Sequence, residues 1–167
     1  MADPAALKRS FAPVVDARTR VLILGSLPGD RSLAEQRYYA HPQNQFWRLV
    51  GAVIDRDLAA LPYPDRLGVL RDRGIGLWDV IAQAQRRGST DAAIRDAAPN
   101  DVAALIAGLP TLAAIAFNGA TSAARGIRAL ADIRPGIARI TLPSSSPLHT
   151  IGLAAKLPAW LALKPYL

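Results

Sequence analysis

Cysteine is absent from all 167 residues, which excludes disulfides, thiolate zinc sites, cysteine-held iron–sulfur clusters and a cysteine nucleophile. Histidine is almost absent: His41 and His149 are the only two, neither has a second carboxylate nearby at ligand spacing, and no metal site is expected. No apolar run approaches the roughly 18 residues of a membrane span, so no membrane partner is expected. Neither G-x-x-x-x-G-K-[ST] nor G-x-G-x-x-G occurs, and Gly74 and Gly76 precede a strand signal rather than follow one. Nucleoside triphosphate and dinucleotide chemistry are disfavoured accordingly. The first twenty residues, MADPAALKRSFAPVVDARTR, carry no apolar stretch after their basic residues; no secretory signal is expected, and the cytoplasm is the default compartment. Lysine is scarce, with Lys8, Lys156 and Lys164 the only ones among 20 basic residues.

Arginine is what the chain has in excess. A formal charge of +7 and a pI near 10.5 point toward a polyanionic partner such as DNA or RNA, although genomic base composition explains an arginine- and alanine-rich chain equally well. The arginines are scattered with no block of five, which favours a folded basic face over a disordered basic tail. With 51% hydrophobic residues and a mean hydropathy of +0.16 the chain can bury a sizeable core, and its length fits a single domain over 1–167.

Strand and helix signals alternate with no composition break, repeat or low-complexity tract. VLIL at 21–24 is continuously apolar and β-favouring, as in a buried parallel strand. Residues 44–54 are expected to be helical, with Phe46, Leu49, Val50 and Val53 at helical spacing. A short helix over 65–73 ends at Gly74, and IGLWDV at 75–80 reads as a second strand. Ser89 or Thr90 is placed to cap a short helix, while Pro99, Asn100 and Asp101 open another that runs through Leu109. LAAIAF at 112–117 is a third strand, closed by Asn118 and Gly119. A helix over 121–131, a fourth strand at 137–142 and a closing helix over 152–163, interrupted near Pro158, complete the chain. The order predicts a three-layer α/β/α fold around a central four-stranded, mostly parallel sheet with right-handed crossovers.

Ligands of such sheets gather at the carboxyl ends of the strands. Those ends carry Gly25, Ser26, Leu27, Pro28 and Gly29; Trp78 and Asp79; Asn118 and Gly119; and Pro143, Ser144, Ser145, Ser146, Pro147, Leu148 and His149. Each group alone is an ordinary turn, but their joint placement marks a site. The first end opens the richest segment, GSLPGDRSLAEQRYYAHPQNQFW from 25 to 47, where amide, hydroxyl, imidazole and aromatic groups crowd one loop. A serine esterase using Ser26 or one of Ser144, Ser145 and Ser146 with His149 and Asp79 stays open, although the G-x-S-x-G elbow is absent. So does a non-catalytic nucleic-acid binding module.

GSLPG after the first strand, YYAHPQNQFW beyond it, GLWDV on the second, AFNG on the third and LPSSSP after the fourth resemble the hypoxanthine-DNA glycosylase family of the uracil-DNA glycosylase superfamily. The resemblance spans roughly residues 19 to 165, with HPQN-x-FW its most specific part. It implies a monofunctional enzyme of base-excision repair that cuts the N-glycosidic bond of a deaminated base in DNA, hypoxanthine first and uracil second, and leaves an abasic site. No cofactor is implied. The partner would be DNA containing a deaminated base, the oligomeric state a monomer, and the location the cytoplasm in association with the nucleoid.

Such an enzyme must flip its target into a pocket, stack it on an aromatic ring and hold its edge by hydrogen bonds. Phe46 is the expected stacking residue, with Trp47 turned to the core. Positive charge builds on the sugar and negative charge on the base, so aimed donors and an oriented water are the economical devices. In related members the third residue of the first motif is an acidic or amide side chain that positions the water. Here it is Leu27, and the role passes to Asn44, with His41 and Gln43 as neighbours that contact water or brace the loop. Uracil-specific relatives also begin an HPSP-like element with histidine, which this chain lacks. Ser144, Ser145, Ser146 and Pro147 are expected to pinch the DNA backbone, with Leu148 as an apolar wedge and His149 on a phosphate.

Hypoxanthine and uracil share a carbonyl acceptor beside a ring N–H donor, an edge that an asparagine amide matches with both its groups. Asn118 is one expected reader, and Asp79 is the other. A carboxylate at Asp79 accepts the N–H but repels the carbonyl, which disfavours uracil unless Asp79 is protonated.

Overall fold

A computed structural model describes residues 6–167; the first five residues of the N-terminal stretch read above lie outside it. In chain order the elements are β1 (Ala6–Arg9), β2 (Val21–Gly25), α1 (Asp30–Glu35), α2 (Phe46–Ile54), α3 (Tyr63–Asp72), β3 (Ile75–Asp79), β4 (Ile81–Arg86), β5 (Arg95–Pro99), α4 (Val102–Ala107), β6 (Ala114–Asn118), α5 (Ala120–Ala129), β7 (Ala138–Leu142) and α6 (Leu153–Leu161). Single 3₁₀ turns lie at Asp91–Ala93 and Lys164–Tyr166.

The central sheet has the order β3-β2-β6-β7, and every pairing in it is parallel. Its middle strand β2 is buried on both faces because side chains alternate along a strand. Val21 and Ile23 join Leu49, Val50, Leu70 and Trp160, from α2, α3 and α6, on one face. Leu22 and Leu24 join Val102, Ile106 and Ala123, from α4 and α5, on the other. Leu22, Ile23 and Leu24 are wholly buried, and each contributes about 1.5–3 kcal/mol by leaving water. The expected three-layer α/β/α fold with a four-stranded parallel sheet is what the chain adopts.

A second, antiparallel sheet of order β1-β4-β5 was not anticipated. Its strands read ALKR, IAQAQR and RDAAP, compositions rich in alanine, glutamine and arginine that lean toward helix in isolation. Pairing across the molecule overrides that preference. This sheet also secures the first strand-end loop: Arg86 on β4 is 1% exposed and donates to the carbonyls of Leu27, Pro28 and Gly88. Lys8 on β1 donates to Asp30 and to the Gly88 carbonyl.

Two local expectations are corrected. Residues 30–35 form α1 rather than an open loop, and Gln36 closes it in the left-handed conformation. Neither Ser89 nor Thr90 caps a helix through its side chain; the Asp91–Ala93 turn follows Thr90 without such a bond, and the Ser89 hydroxyl accepts from the Asp30 backbone N–H instead. Asp101 does cap α4, accepting from the Ala104 N–H at 3.0 Å.

Candidate active site

The carboxyl ends of β2, β3, β6 and β7 open onto one cavity of about 480 Å³, large enough for a flipped nucleoside. Gly25, Asp79, Asn118 and Ser144 bring the four strand ends to it, and the Asp91–Ala93 turn adds a side wall through Ser89, Thr90 and Asp91. The sequence offered no sign of that wall, because it depends on the unanticipated β4–β5 pairing.

Asp79 forms the floor. It is 4% exposed, no hydrogen bond from the described residues reaches either carboxyl oxygen, and Oδ2 is fully enclosed. Burial pushes its pKa up to about 7, helped by the charge of Asp91 and opposed by the Arg86 guanidinium. The neutral acid is therefore well populated at neutral pH, which lifts the objection that a fixed carboxylate would raise against a base carbonyl. Gly25 faces it across β2–β3: a Cβ there would stand 2.5 Å from Asp79 Oδ1 and 3.2 Å from the Tyr39 hydroxyl oxygen. Only glycine leaves that space open. Ser26, also on the cavity, donates its hydroxyl to Asp91 at 2.7 Å, and Leu27 and Pro28 continue the lining.

The aromatic platform differs from expectation. Phe46 is 0% exposed and lies behind Tyr39, whose ring stacks on it at 3.9 Å with an 11° interplanar angle. Tyr39 lines the cavity and Phe46 does not. Phe46 instead sits edge-on between Trp47 and Trp160. Tyr39 holds φ of +53°, an unusual conformation for a bulky side chain that costs on the order of 1–3 kcal/mol. Neighbouring bonds impose it: Trp47 Nε1 donates to the Tyr39 carbonyl, Ala40 N–H to the Ser32 hydroxyl, and Tyr38 N–H to the Tyr63 hydroxyl. The usable signal in the sequence was the aromatic pair directly before AHPQN, outside the helix rather than within it.

Asn44 and His41 both border the cavity. Asn44 Oδ1 accepts from the Phe46 N–H at 2.9 Å, an Asx-type turn one residue ahead of Gln45, the N-cap of α2. Its Nδ2 has no protein partner among the described residues, and Oδ1 keeps a second lone pair. This turn bond therefore orients the amide without consuming it. His41 accepts the Gln43 N–H on Nδ1 at 3.1 Å, and its carbonyl accepts the Asn44 N–H. The side chain of Gln43 is exposed and off the cavity, so Gln43 braces the turn and does not touch substrate there.

Asn118 reaches the cavity but faces the 143–149 loop. Its Oδ1 accepts the Ser145 N–H at 2.9 Å, and Nδ2 donates to the Ser145 hydroxyl at 2.9 Å and the Tyr39 hydroxyl at 3.3 Å. The Asn118 amide thus ties the loop to the platform, and among the described residues Asp79 Oδ2 is the enclosed, unpartnered atom at the floor. Ser145 is 1% exposed and its carbonyl accepts from the Gln45 N–H, so it anchors the loop. Ser144 and Ser146 accept from the backbone of Ser146 and Leu148 in successive tight turns, which push Leu148 out to 61% exposure at the cavity mouth. His149 is exposed beside it. Lys156 of α6 is buried and donates to the Ser146 carbonyl at 3.2 Å, a support the sequence reading missed. No serine hydroxyl bonds to a histidine among the described residues, so the esterase reading lacks its nucleophile–base pair.

On the far side of the HPQN loop, His41 and Asn44 also border a second cleft of about 300 Å³ lined by Arg37, Arg48 and Arg66. The Arg37 and Arg66 guanidinium groups lie over the rings of Tyr63 and Trp47. No group of side chains suited to a metal ion occurs among the described residues, and no helix there is long and apolar enough to cross a membrane.

Comparison with known proteins agrees with this geometry. A family model described as the uracil DNA glycosylase superfamily matches residues 12–164. A protein of Methanosarcina barkeri named hypoxanthine DNA glycosylase is 45% identical over 115 residues, 69% of this chain and 73% of the relative. One of the same name from Methanosarcina acetivorans is 46% identical over 113 residues, 68% and 72% of the two chains. A solution NMR structure from Methanosarcina acetivorans, described as a candidate uracil DNA glycosylase, superposes with a TM-score of 0.83 at 38% identity over 95% of this chain and 97% of that one. A parallel sheet with its pocket at the strand ends, the motifs that line it and a match over nearly the whole length converge: the chain belongs to the uracil DNA glycosylase superfamily.

Proposed function

We propose that the protein is a monofunctional DNA glycosylase that flips a deaminated base, hypoxanthine in preference to uracil, into this cavity and hydrolyses its N-glycosidic bond. The observation that carries the reading is one cavity with Tyr39 as a ring platform, the half-free Asn44 amide at its rim and unpartnered Asp79 at its floor. A base stacked on the open face of Tyr39 presents its far edge to Asp79 and its sugar to Asn44. Asn44 then orients the attacking water, and Leu148 fills the gap left in the duplex. The preference for hypoxanthine is supported by the names of the two Methanosarcina relatives. The enzyme acts as a single-domain monomer, needs no cofactor, and works in the cytoplasm at the nucleoid.

Incubating the protein with duplexes carrying inosine, uracil, xanthine or 8-oxoguanine, followed by alkali, tests the reading. Strand breaks at inosine above all others are expected. DNA binding without breaks would leave only a binding module, and cleavage of acyl esters would restore the esterase.

Two further outcomes follow. Base–aromatic stacking is worth about 1–3 kcal/mol, so Tyr39→Ala should slow single-turnover release by roughly tenfold or more, whereas Tyr39→Phe keeps most of the rate. An equal effect of both changes would remove the ring from the stacking role. Duplex affinity should fall log-linearly with salt, and Arg48→Ala, in the basic cleft beside Asn44, should shallow the slope by about one phosphate contact. A flat dependence would mean that the charge of +7 is no DNA footprint.

A further inference from the structure

The inference rests on the glycosylase reading and concerns how the leaving base acquires a proton. A purine departs poorly as an anion, and a donor at its ring relieves the developing charge. The fourth strand end has no imidazole within residues 142–147, which read LPSSSP; its one imidazole, His149, is exposed at the mouth rather than enclosed at the floor. Among the other polar groups on the cavity, the Asn118 amide is held by Ser145 and Tyr39, and Ser26 is held by Asp91. The Tyr39 hydroxyl is a weaker acid than usual because it is buried near Asp79. Of the cavity's polar groups, Asp79 alone is enclosed, without a hydrogen bond from the described residues, and at the inner end of the stacking platform.

We propose that Asp79 is the general acid of the reaction, delivering its carboxyl proton to N7 of the departing hypoxanthine. N7 is the most basic ring nitrogen of inosine, and it lies away from N3 and the sugar-side edge. The Asp79 O–H bond breaks as the N7–H bond forms. The C1′–N9 bond then breaks with its electron pair moving to the base, which leaves neutral as the 7H tautomer. Water oriented by Asn44 adds to C1′ and loses a proton to solvent, and solvent returns one to the Asp79 carboxylate. One water is consumed and nothing is oxidised or reduced.

The surroundings poise that carboxyl for the task. Burial keeps it protonated up to about pH 7. Asp91 from the side wall reinforces this, the Arg86 guanidinium from β4 opposes it, and Tyr38 and Tyr39 from the loop before AHPQN stay neutral. His41 and His149 stand at the rim.

The test is single-turnover release from inosine duplexes between about pH 5 and 9, in wild type and Asp79→Asn. Wild-type release should hold level in acid and fall about tenfold per pH unit above an apparent pKa near 7. Asp79→Asn should be slower by about a hundredfold at pH 6 and should lack that alkaline fall. Wild-type enzyme should bind a 7-deazainosine duplex as tightly yet release its base at least a hundredfold more slowly. The inference is overturned if Asp79→Asn keeps the alkaline fall, or if 7-deazahypoxanthine leaves as fast as hypoxanthine. Release of no base by the wild type at any pH would overturn the glycosylase reading as well, and is distinguished from those outcomes by the missing wild-type rate. The 7-deaza measurement needs no variant, so the question is decided even if Asp79→Asn misfolds.

Discussion

Asn44→Ala should lower single-turnover base release by about two to three orders of magnitude, the scale of losing one aimed catalytic group, with DNA affinity little changed. The same substitution removes the acceptor for the Phe46 N–H, so a stability loss of about 1 kcal/mol accompanies it. Asn44→Ser separates the two roles. A serine hydroxyl can make the same turn to the i+2 N–H, somewhat more weakly, so this variant should regain part of the stability, but it cannot reproduce the two-group amide and the rate should stay low. Parallel recovery of rate and stability in Asn44→Ser would show that Asn44 serves only to start α2. Equal losses of binding and chemistry in Asn44→Ala would place it in DNA contact instead.

Asp79→Asn should be more stable than wild type at pH 8, on the order of 2–4 kcal/mol, and the gap should close as the pH falls toward 4. In the unfolded chain Asp79 titrates near 3.8, whereas burial holds it near 7 in the folded one. Between these values the folded state binds the extra proton, so rising pH favours unfolding. The contribution of the neutral acid is fully present below about 3.8 and is lost as the pH passes through about 7. Asparagine has nearly the same shape and never ionises, so it escapes the loss. Denaturant midpoints for both proteins across this range measure the difference directly and cancel the other carboxylates. A constant gap, or a variant less stable at pH 8, would mean that Asp79 ionises freely in the folded protein. The expected outcome is a stability–function conflict at one atom pair, as found where a site is kept strained for its chemistry.

The central sheet was legible because its strands obey a simple rule: VLIL and LAAIAF are short, apolar on both faces and bounded by turn residues, as buried parallel strands are. The clustering of strand ends followed from topology. The antiparallel sheet was not legible, since IAQAQR has no apolar alternation that local sequence could reveal and its partner β1 lies far away in the chain. Within the site, Asn44, Asp79 and Leu148 line the cavity at the strand ends, as the clustering of those ends led one to expect. Phe46 was misplaced because helical periodicity cannot tell which of two neighbouring aromatics faces a cavity and which supports it; the answer lay in Tyr39, held by bonds to Trp47 and Asn118 and by the adjacent Ala40–Ser32 bond, none of which a pattern encodes. Asn118 was not legible for a related reason: an amide matches a lactam edge and a loop backbone equally well, and the structure bonds it to Ser145.

The strand order has a bearing on how the chain comes to possess a site at all. β2 emerges early in synthesis, but Val21 must wait for Ile75 on one side and Ala114 on the other, and the last wall follows β7, whose Ala138 pairs with Ala114. Such distant pairings form late and slowly. A nascent chain that stops short of residue 142 exposes the apolar edge of β6, so fragments of this protein are expected to aggregate rather than to retain partial function, and two separately made pieces divided between α5 and β7 would have to meet before either became soluble.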